Sequence, residues 1–175
     1  MNYVYNILSI SGLIAFVIAS MLKGEKIKKN LFFVFTGSVL VGSSYLFTSL
    51  GINGAVSSFI GAGQAVINYF FGIKDKKIPM WLIVLYAVVF LGVNLAVIES
   101  PIGIIALMAS LCFVGSICAK NGKWYRIWQV INSSLWISYD VLSGSMGPFV
   151  THFVLLCFTL TGMLINDYKK DSIKK

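Results

Sequence analysis

Gln129–Asp140 reads QVINSSLWISYD. It lies inside Tyr125–Leu142, a segment long enough to cross most of a bilayer, yet it holds two amides, three serines, a Trp, a Tyr and an Asp. Hydrocarbon cannot solvate such groups, so in a membrane helix they must face protein or water. With about 100° of rotation per residue, Gln129, Asn132, Trp136, Tyr139 and Asp140 fall within an arc of about 100°. A helix divided in this way belongs to a bundle that has an interior.

The rest of the chain supplies that bundle. Of its 175 residues 58% are hydrophobic and 11% charged, and its mean hydropathy is +0.86. Soluble domains carry about a quarter charged residues. A membrane span needs roughly 20 mostly apolar residues. Seven candidates follow: Tyr3–Leu22, Leu31–Leu50, Gly54–Ile73, Met80–Ile98, Ile102–Ala119, Tyr125–Leu142 and Phe149–Ile165. The connections between them are brief and leave no room for a soluble domain. The expected fold is an all-α polytopic membrane protein with seven transmembrane helices. MNYVYN lacks the basic start of a signal peptide, so the first apolar segment is read as a retained span.

The formal charge of +8 could point to nucleic acid, but its distribution points elsewhere. Lys23, Lys26, Lys28 and Lys29 fall between the first two spans, and Lys74, Lys76 and Lys77 follow the third. Lys120, Lys123 and Arg126 follow the fifth, and Lys169, Lys170, Lys174 and Lys175 follow the seventh. These are all 14 basic residues, and the alternate connections hold none. Cytoplasmic loops collect Lys and Arg, so the amino terminus is expected outside and the carboxyl terminus inside. Contact with anionic lipid accounts for the basic loops, and no nucleic-acid partner is expected.

The chain also matches itself at an offset of 94 positions without a gap. Ile10 falls on Ile104, Leu13 on Leu107, Ala15 on Ala109, Lys26 on Lys120 and Lys29 on Lys123. Ser44-Tyr45 lies on Ser138-Tyr139, and Val56 and Phe59 lie on Val150 and Phe153. A unit of three spans reverses sides, so two such units in the same orientation need one extra crossing between them. Met80–Ile98 is the span left over. The expected organisation is a first three-helix bundle over 1–78, a linker helix over 79–100, a second three-helix bundle over 101–168 and a basic cytoplasmic tail over 169–175. Parallel repeats of this kind recur among transporters.

This plan, and the texture of SSYLFTSLGINGAVSSFIGAGQAVINYFFG (Ser43–Gly72), resemble the bacterial inner-membrane YgjV family. That family is placed here within the superfamily of SWEET sugar transporters, PQ-loop proteins and PnuC vitamin-precursor transporters. The resemblance covers nearly the whole chain and implies a small-molecule carrier built of two three-helix bundles. SWEET-like proteins carry prolines in the middle of gating helices. Here Pro79, Pro101 and Pro148 all stand at span ends, and there is no Pro-Gln dipeptide. Flexibility is therefore expected from glycines such as Gly37, Gly42, Gly61 and Gly63.

A second polar stripe lies on the third span, where Ser57, Gly61, Gln64 and Asn68 share an arc of about 60°. The second span offers Ser38, Gly42 and Tyr45. Serines and glycines at such places serve as packing glue between membrane helices. The four amides Gln129, Asn132, Gln64 and Asn68 exceed what glue requires and are read as hydrogen-bonding a solute. Trp136, Tyr139 and Tyr45 are either interface aromatics or stacking surfaces for it. Asp140 is the one acid well inside a span, and His152 follows across the next hairpin. The two could pair as a proton or entrance site, or simply meet the headgroups.

Several chemistries lack their parts. No phosphate-binding GxxxxGK[ST] loop is present. One histidine offers thin support for nucleophilic hydrolysis and cannot supply two haem ligands. Three cysteines (Cys112, Cys118 and Cys157), odd in number and without CxxC spacing, indicate neither a disulfide frame nor a zinc site. No cofactor and no enzymatic activity are expected. The expected function is facilitated transport of an uncharged polar or aromatic metabolite such as a sugar, nucleoside or vitamin precursor. The expected partners are that solute and the lipid bilayer, with homo-oligomerisation left open. The alternative is a non-transporting scaffold, assembly factor or cargo receptor of the same architecture. A carrier needs a hydrated pocket between its bundles, whereas a scaffold fills that space with packed side chains.

Overall fold

A computed structural model of the chain describes residues 3–21, 27–73, 78–117 and 122–164. The described residues form seven helices and no strand: α1 Tyr3–Met21, α2 Ile27–Tyr45, α3 Ile52–Ile73, α4 Met80–Ala96, α5 Ile102–Ile117, α6 Gly122–Ser143 and α7 Met146–Met163. Most of the lysines that set the expected orientation lie outside the described residues: Lys23, Lys26, Lys74, Lys76, Lys77, Lys120 and the four of the tail. So does Cys118.

The helix boundaries depart from the expected ones where hydropathy and backbone geometry differ. α2 begins four residues early, taking Lys28 and Lys29 into its first turn, because long basic side chains can reach water from a helix end. It stops at Tyr45, where the hydroxyl of Thr48 bonds the Tyr45 carbonyl at 2.8 Å. Leu46 and Phe47, expected within the span, sit instead in the exposed turn before α3. α6 ends in a left-handed Gly144 (φ 72°). There the Ser145 N–H bonds the Asp140 carbonyl at 2.8 Å and the Gly144 N–H bonds that of Val141 at 3.3 Å. This is a Schellman closure, and a residue with a Cβ would be strained at position 144. Pro148 is tolerated in the first turn of α7, where its missing N–H has no helical partner to lose.

α1 packs on α2 and α2 on α3; α5 packs on α6 and α6 on α7. Contacts of α3 with α5 and of α1 with α7 close the six helices into a ring. α4 lies outside it against α3 and α5, burying one residue per turn: Leu82, Tyr86, Phe90 and Asn94. Close approach depends on small residues. A Cβ on Gly12 of α1 would stand 2.6 Å from Val41 of α2, the contact that small residues allow between membrane helices. The outward faces carry Ile7, Ile10, Trp81, Val84, Val88, Ile104, Phe153 and many more exposed apolar side chains, far more than a water-facing surface presents. Among the described residues one helix, Met146–Met163, is by itself long and apolar enough to cross a membrane, with a mean hydropathy of 1.5. Tyr3–Ala19, Leu31–Tyr45, Met80–Ala96 and Ile102–Ser116 form shorter apolar helices.

The ring has two different ends. The starts of α1 and α7 meet where the Gly147 N–H bonds the Tyr5 hydroxyl at 2.5 Å. The starts of α3 and α5 meet where Gly103 approaches Asn53. This is the hairpin end, carrying the tight α2–α3 and α6–α7 turns. At the other, basic end stand Lys29 in the first turn of α2 and Lys123 and Arg126 near the start of α6.

Candidate functional site

The polar face of α6 looks onto a cavity of about 500 Å³ inside the ring. Gln129, Asn132, Ser133 and Trp136 of α6 line it, facing Phe16 of α1, Ser38 and Val41 of α2, and Ser57, Ser58 and Gly61 of α3. Ser110 and Phe113 of α5 and His152, Leu155, Phe158 and Thr159 of α7 complete the wall, with Phe90 reaching in from α4. The cavity extends to Ala19, Arg126 and Gly162, which stand in the turns nearest the basic end. Positions 94 apart meet on this wall: Phe16 and Ser110, Ala19 and Phe113, Ser38 and Asn132, Ser58 and His152, Gly61 and Leu155.

Two of the expected amides are anchored as well as exposed to the cavity. The Asn132 amide donates to the Ala109 carbonyl of α5 at 2.7 Å, and the Gln129 amide donates to the Ser116 hydroxyl at 3.4 Å. Trp136, 8% exposed, presents part of its surface to the cavity.

Towards the hairpin end the cavity meets a polar and aromatic cluster. Asp140 is fully buried. One of its oxygens accepts the Tyr45 hydroxyl at 2.5 Å, and the other is 2.7 Å from His152 Nδ1. The His152 ring stacks on Trp136, with centroids 5.4 Å apart and planes 13° from parallel. Tyr45 lies 6.2 Å from the Trp136 ring and 5.9 Å from that of Tyr139. The Schellman hairpin makes this possible, because reversing the chain at Gly144 brings α7 back alongside Asp140 and Trp136. Tyr45 and Tyr139 are thus fully buried in the cluster and are not lining residues of the cavity. Tyr139 ties the α2–α3 turn: its hydroxyl donates to the Leu50 carbonyl at 2.7 Å and accepts the Gly54 N–H at 3.0 Å.

Gln64 and Asn68 lie off the cavity, although they continue the stripe of Ser57 and Gly61. Asn68 accepts the Tyr86 hydroxyl of α4 at 3.0 Å. Gln64 is buried, and neither of its amide atoms has a partner among the described residues. Their helical angle matches that of Ser57 and Gly61, but neither lines the cavity.

Three participants were not singled out from sequence. Arg126, counted with a basic connection, lies within α6 and on the cavity wall; hydropathy alone treats an arginine as a loop residue. Ser110 of α5 donates to the Ser57 hydroxyl at 2.9 Å, and Ser57 donates to the Asn94 amide oxygen at 3.0 Å. Asn94, the sole amide of α4, is fully buried; its isolation in an apolar helix was the signal available. Among the described residues no group of three or more His, Cys, Asp or Glu could hold a metal ion.

The family of bacterial inner membrane proteins Imp-YgjV matches residues 7–169. The chain belongs to that family. The match runs from α1 through the end of α7, so cavity and cluster both lie within the family's domain. It assigns the protein to a bacterial inner membrane, where the apolar outward faces of the ring meet lipid. No curated protein and no solved structure matches the chain.

Proposed function

We propose that this Imp-YgjV family member is a small-molecule carrier that binds its solute in the cavity between two three-helix halves. The observation that carries this reading is the cavity itself: a space of about 500 Å³, mainly apolar and aromatic in its walls with a few polar groups among them, where a packed scaffold would have side chains filling it. Small-molecule sites span roughly 300–1,000 Å³ and combine apolar walls with a few placed polar groups. Gln129 and Asn132 supply the polar groups and Trp136 a flat surface for a sugar, nucleobase or vitamin precursor. Arg126 adds a positive charge near the basic end, which suits an acceptor-rich or acidic substituent on the solute.

In this reading α1–α3 and α5–α7 are the two repeats, α4 is the linker helix, and all seven helices cross the membrane. The five pairs of wall positions 94 apart support a pseudo-twofold axis through the cavity, the layout of parallel-repeat carriers such as the SWEET and PnuC groups the sequence resembles. The lysine-rich connections place the basic end in the cytoplasm, so the cavity reaches towards the cytoplasm. Transport then proceeds by rocking of the halves, with no nucleotide hydrolysis. A carrier is favoured over a hydrolase because His152 Nε2 has no hydroxyl or thiol partner among the described residues to activate.

The test is a thermal-shift screen of the purified protein against neutral sugars, nucleosides and vitamin precursors, followed by uptake of the radiolabelled hit into proteoliposomes. Asn132→Leu and Trp136→Ala are expected to fold and to weaken binding by about 1 kcal/mol or more each, roughly fivefold or more in Kd. Uptake no faster than into empty liposomes, or a shift that survives both substitutions, would refute the carrier reading.

A further inference from the structure

Besides the Ser110–Ser57 bond between α5 and α3, four polar ties between the first three helices and the last three stand at the hairpin end. Tyr45 of α2 bonds Asp140 of α6, and Tyr139 of α6 bonds the Leu50 carbonyl and the Gly54 N–H. Thr48 and Ser145, one in each turn, share a hydrogen bond of 3.1 Å. Tyr5 of α1 takes the N–H of Gly147. The cavity runs from this sealed end to Arg126 at the other. Asp140 is the centre of the seal, and it communicates with the cavity through one group, the His152 imidazole. Nδ1 of that ring is committed to Asp140, so Nε2 is the polar atom left to the cavity side, where His152 is part of the wall.

We propose that the Tyr45–Asp140–His152 cluster is a proton-binding gate, so that solute movement through this protein is coupled to protons. The inference rests on the carrier reading for what the gate admits, but the gate itself is a property of the cluster.

With His152 neutral and Nδ1–H donated to the Asp140 carboxylate, Nε2 holds a lone pair. A proton from cavity water adds there and leaves an imidazolium beside a carboxylate. Passing the Nδ1 proton to Asp140 Oδ2 then yields a neutral imidazole with Nε2–H and a neutral carboxylic acid; one proton has been taken up and none lost. In that second state the carboxyl group that holds Tyr45 has lost its negative charge, and its charge-assisted bond falls to an ordinary one. That bond joins α2 to α6 across the seal, so proton uptake loosens the hairpin end. The groups facing the dyad are few: Tyr45 from α2, Tyr139 from α6 and Tyr5 from α1. α3 and α5 bring no acid, base or phenol to the cluster among the described residues. Arg126, on the same helix as Asp140, stands nearly four turns away at the far end of the cavity.

His152 is the one histidine of the chain, which makes the test direct. Full-length protein carrying a tag without histidine is labelled with ¹⁵N-histidine and placed in nanodiscs. The imidazole signals are followed as the pH is lowered. A second sample lacks Cys112, Cys118 and Cys157 and carries nitroxides at Ser49→Cys and Met146→Cys, one on each turn of the seal. The expected result is a protonation step of the dyad, seen in the imidazole signals. The distance between the labels should lengthen across the same step by roughly 5 Å, the scale of a one-turn displacement between packed elements. Asp140→Asn and Tyr45→Phe, which keeps the ring, should both hold the long distance at every pH. The proposal is overturned if His152 keeps one protonation state throughout, if it titrates while the distance stays fixed, or if Tyr45→Phe follows the parent curve. None of these readouts needs a solute, so a failed uptake assay and a failed gate remain separate results.

Discussion

Gly54 is held to glycine by a neighbour: a Cβ there would lie 2.7 Å from the Tyr45 ring, while its N–H supports Tyr139. Gly54→Ala is expected to cost about 1–3 kcal/mol through overpacking, read as a lower thermal midpoint in detergent. Gly63→Ala is the control. A Cβ at Gly63 meets nothing within 4 Å, so that change should be neutral, or stabilising by about 1 kcal/mol or less through helix propensity. Equal losses for both would remove the Tyr45 contact as the cause. At this scale the sequence was legible in the face of one helix but not in what that face meets. Asn132 and Gln129 share a helical face and reach the cavity. Gln64 and Asn68 share a face with Ser57 and Gly61, yet neither lines the cavity and Tyr86 of α4 takes Asn68. The periodicity of one helix carries no information on where a space between six helices begins and stops. The pairing of Asp140 with His152 could be raised from sequence because a short hairpin joins them. Their bond to Tyr45, 95 residues from Asp140, could not.

Among the elements, α4 was read as a spacer, because nothing in the repeat aligns with it. Its interior face carries more than spacing requires. Asn94 accepts from Ser57 at 3.0 Å, donates to its own helix at the Phe90 carbonyl at 2.9 Å, and through its backbone oxygen accepts the Asn53 amide at 3.3 Å. Ser57 is in turn bonded by Ser110, so one buried chain of polar groups joins α4, α3 and α5 behind the cavity wall. Asn94→Leu is expected to destabilise the protein by about 1–3 kcal/mol, because the Ser57 hydroxyl loses its acceptor in a buried place. Asn94→Asp should not rescue it, since an unpaired charge there costs more than the lost bond. Thermal unfolding of the two variants in nanodiscs checks this, and stability equal to the parent would show the chain to be dispensable. Helix existence was legible throughout from apolar runs. The ends were less so, because they are set by local chemistry that hydropathy averages away: the Thr48 cap, the Gly144 closure and the basic first turn of α2.

On the scale of the whole molecule, the two halves are alike in path and unlike in chemistry. Tyr45 and Tyr139, matched at the 94-residue offset, lie side by side, but one holds an acid and the other a backbone turn. The counterparts of Asp140 and Arg126 in the first half are Leu46 and Phe32. The direction in which the molecule faces is a question of sidedness. In the proposed orientation, with the lysine-bearing loops retained in the cytoplasm, the hairpin end is outside. Single cysteines at Ser49 and Met146, both exposed at that end, should therefore react in intact cells with an impermeant maleimide, in a background without the native three. Asn53 is unsuitable for this purpose, being buried at 3% exposure. A cysteine at Lys123, exposed at the start of α6, should stay silent until the cells are permeabilised and should then label fully. The reverse pattern would invert the molecule, making the Tyr45–Asp140–His152 seal a cytoplasmic gate and turning the cavity to the outside. Labelling of both ends in intact cells would break the seven-span reading, since an odd number of crossings between Ser49 and Lys123 requires the two to lie on opposite sides.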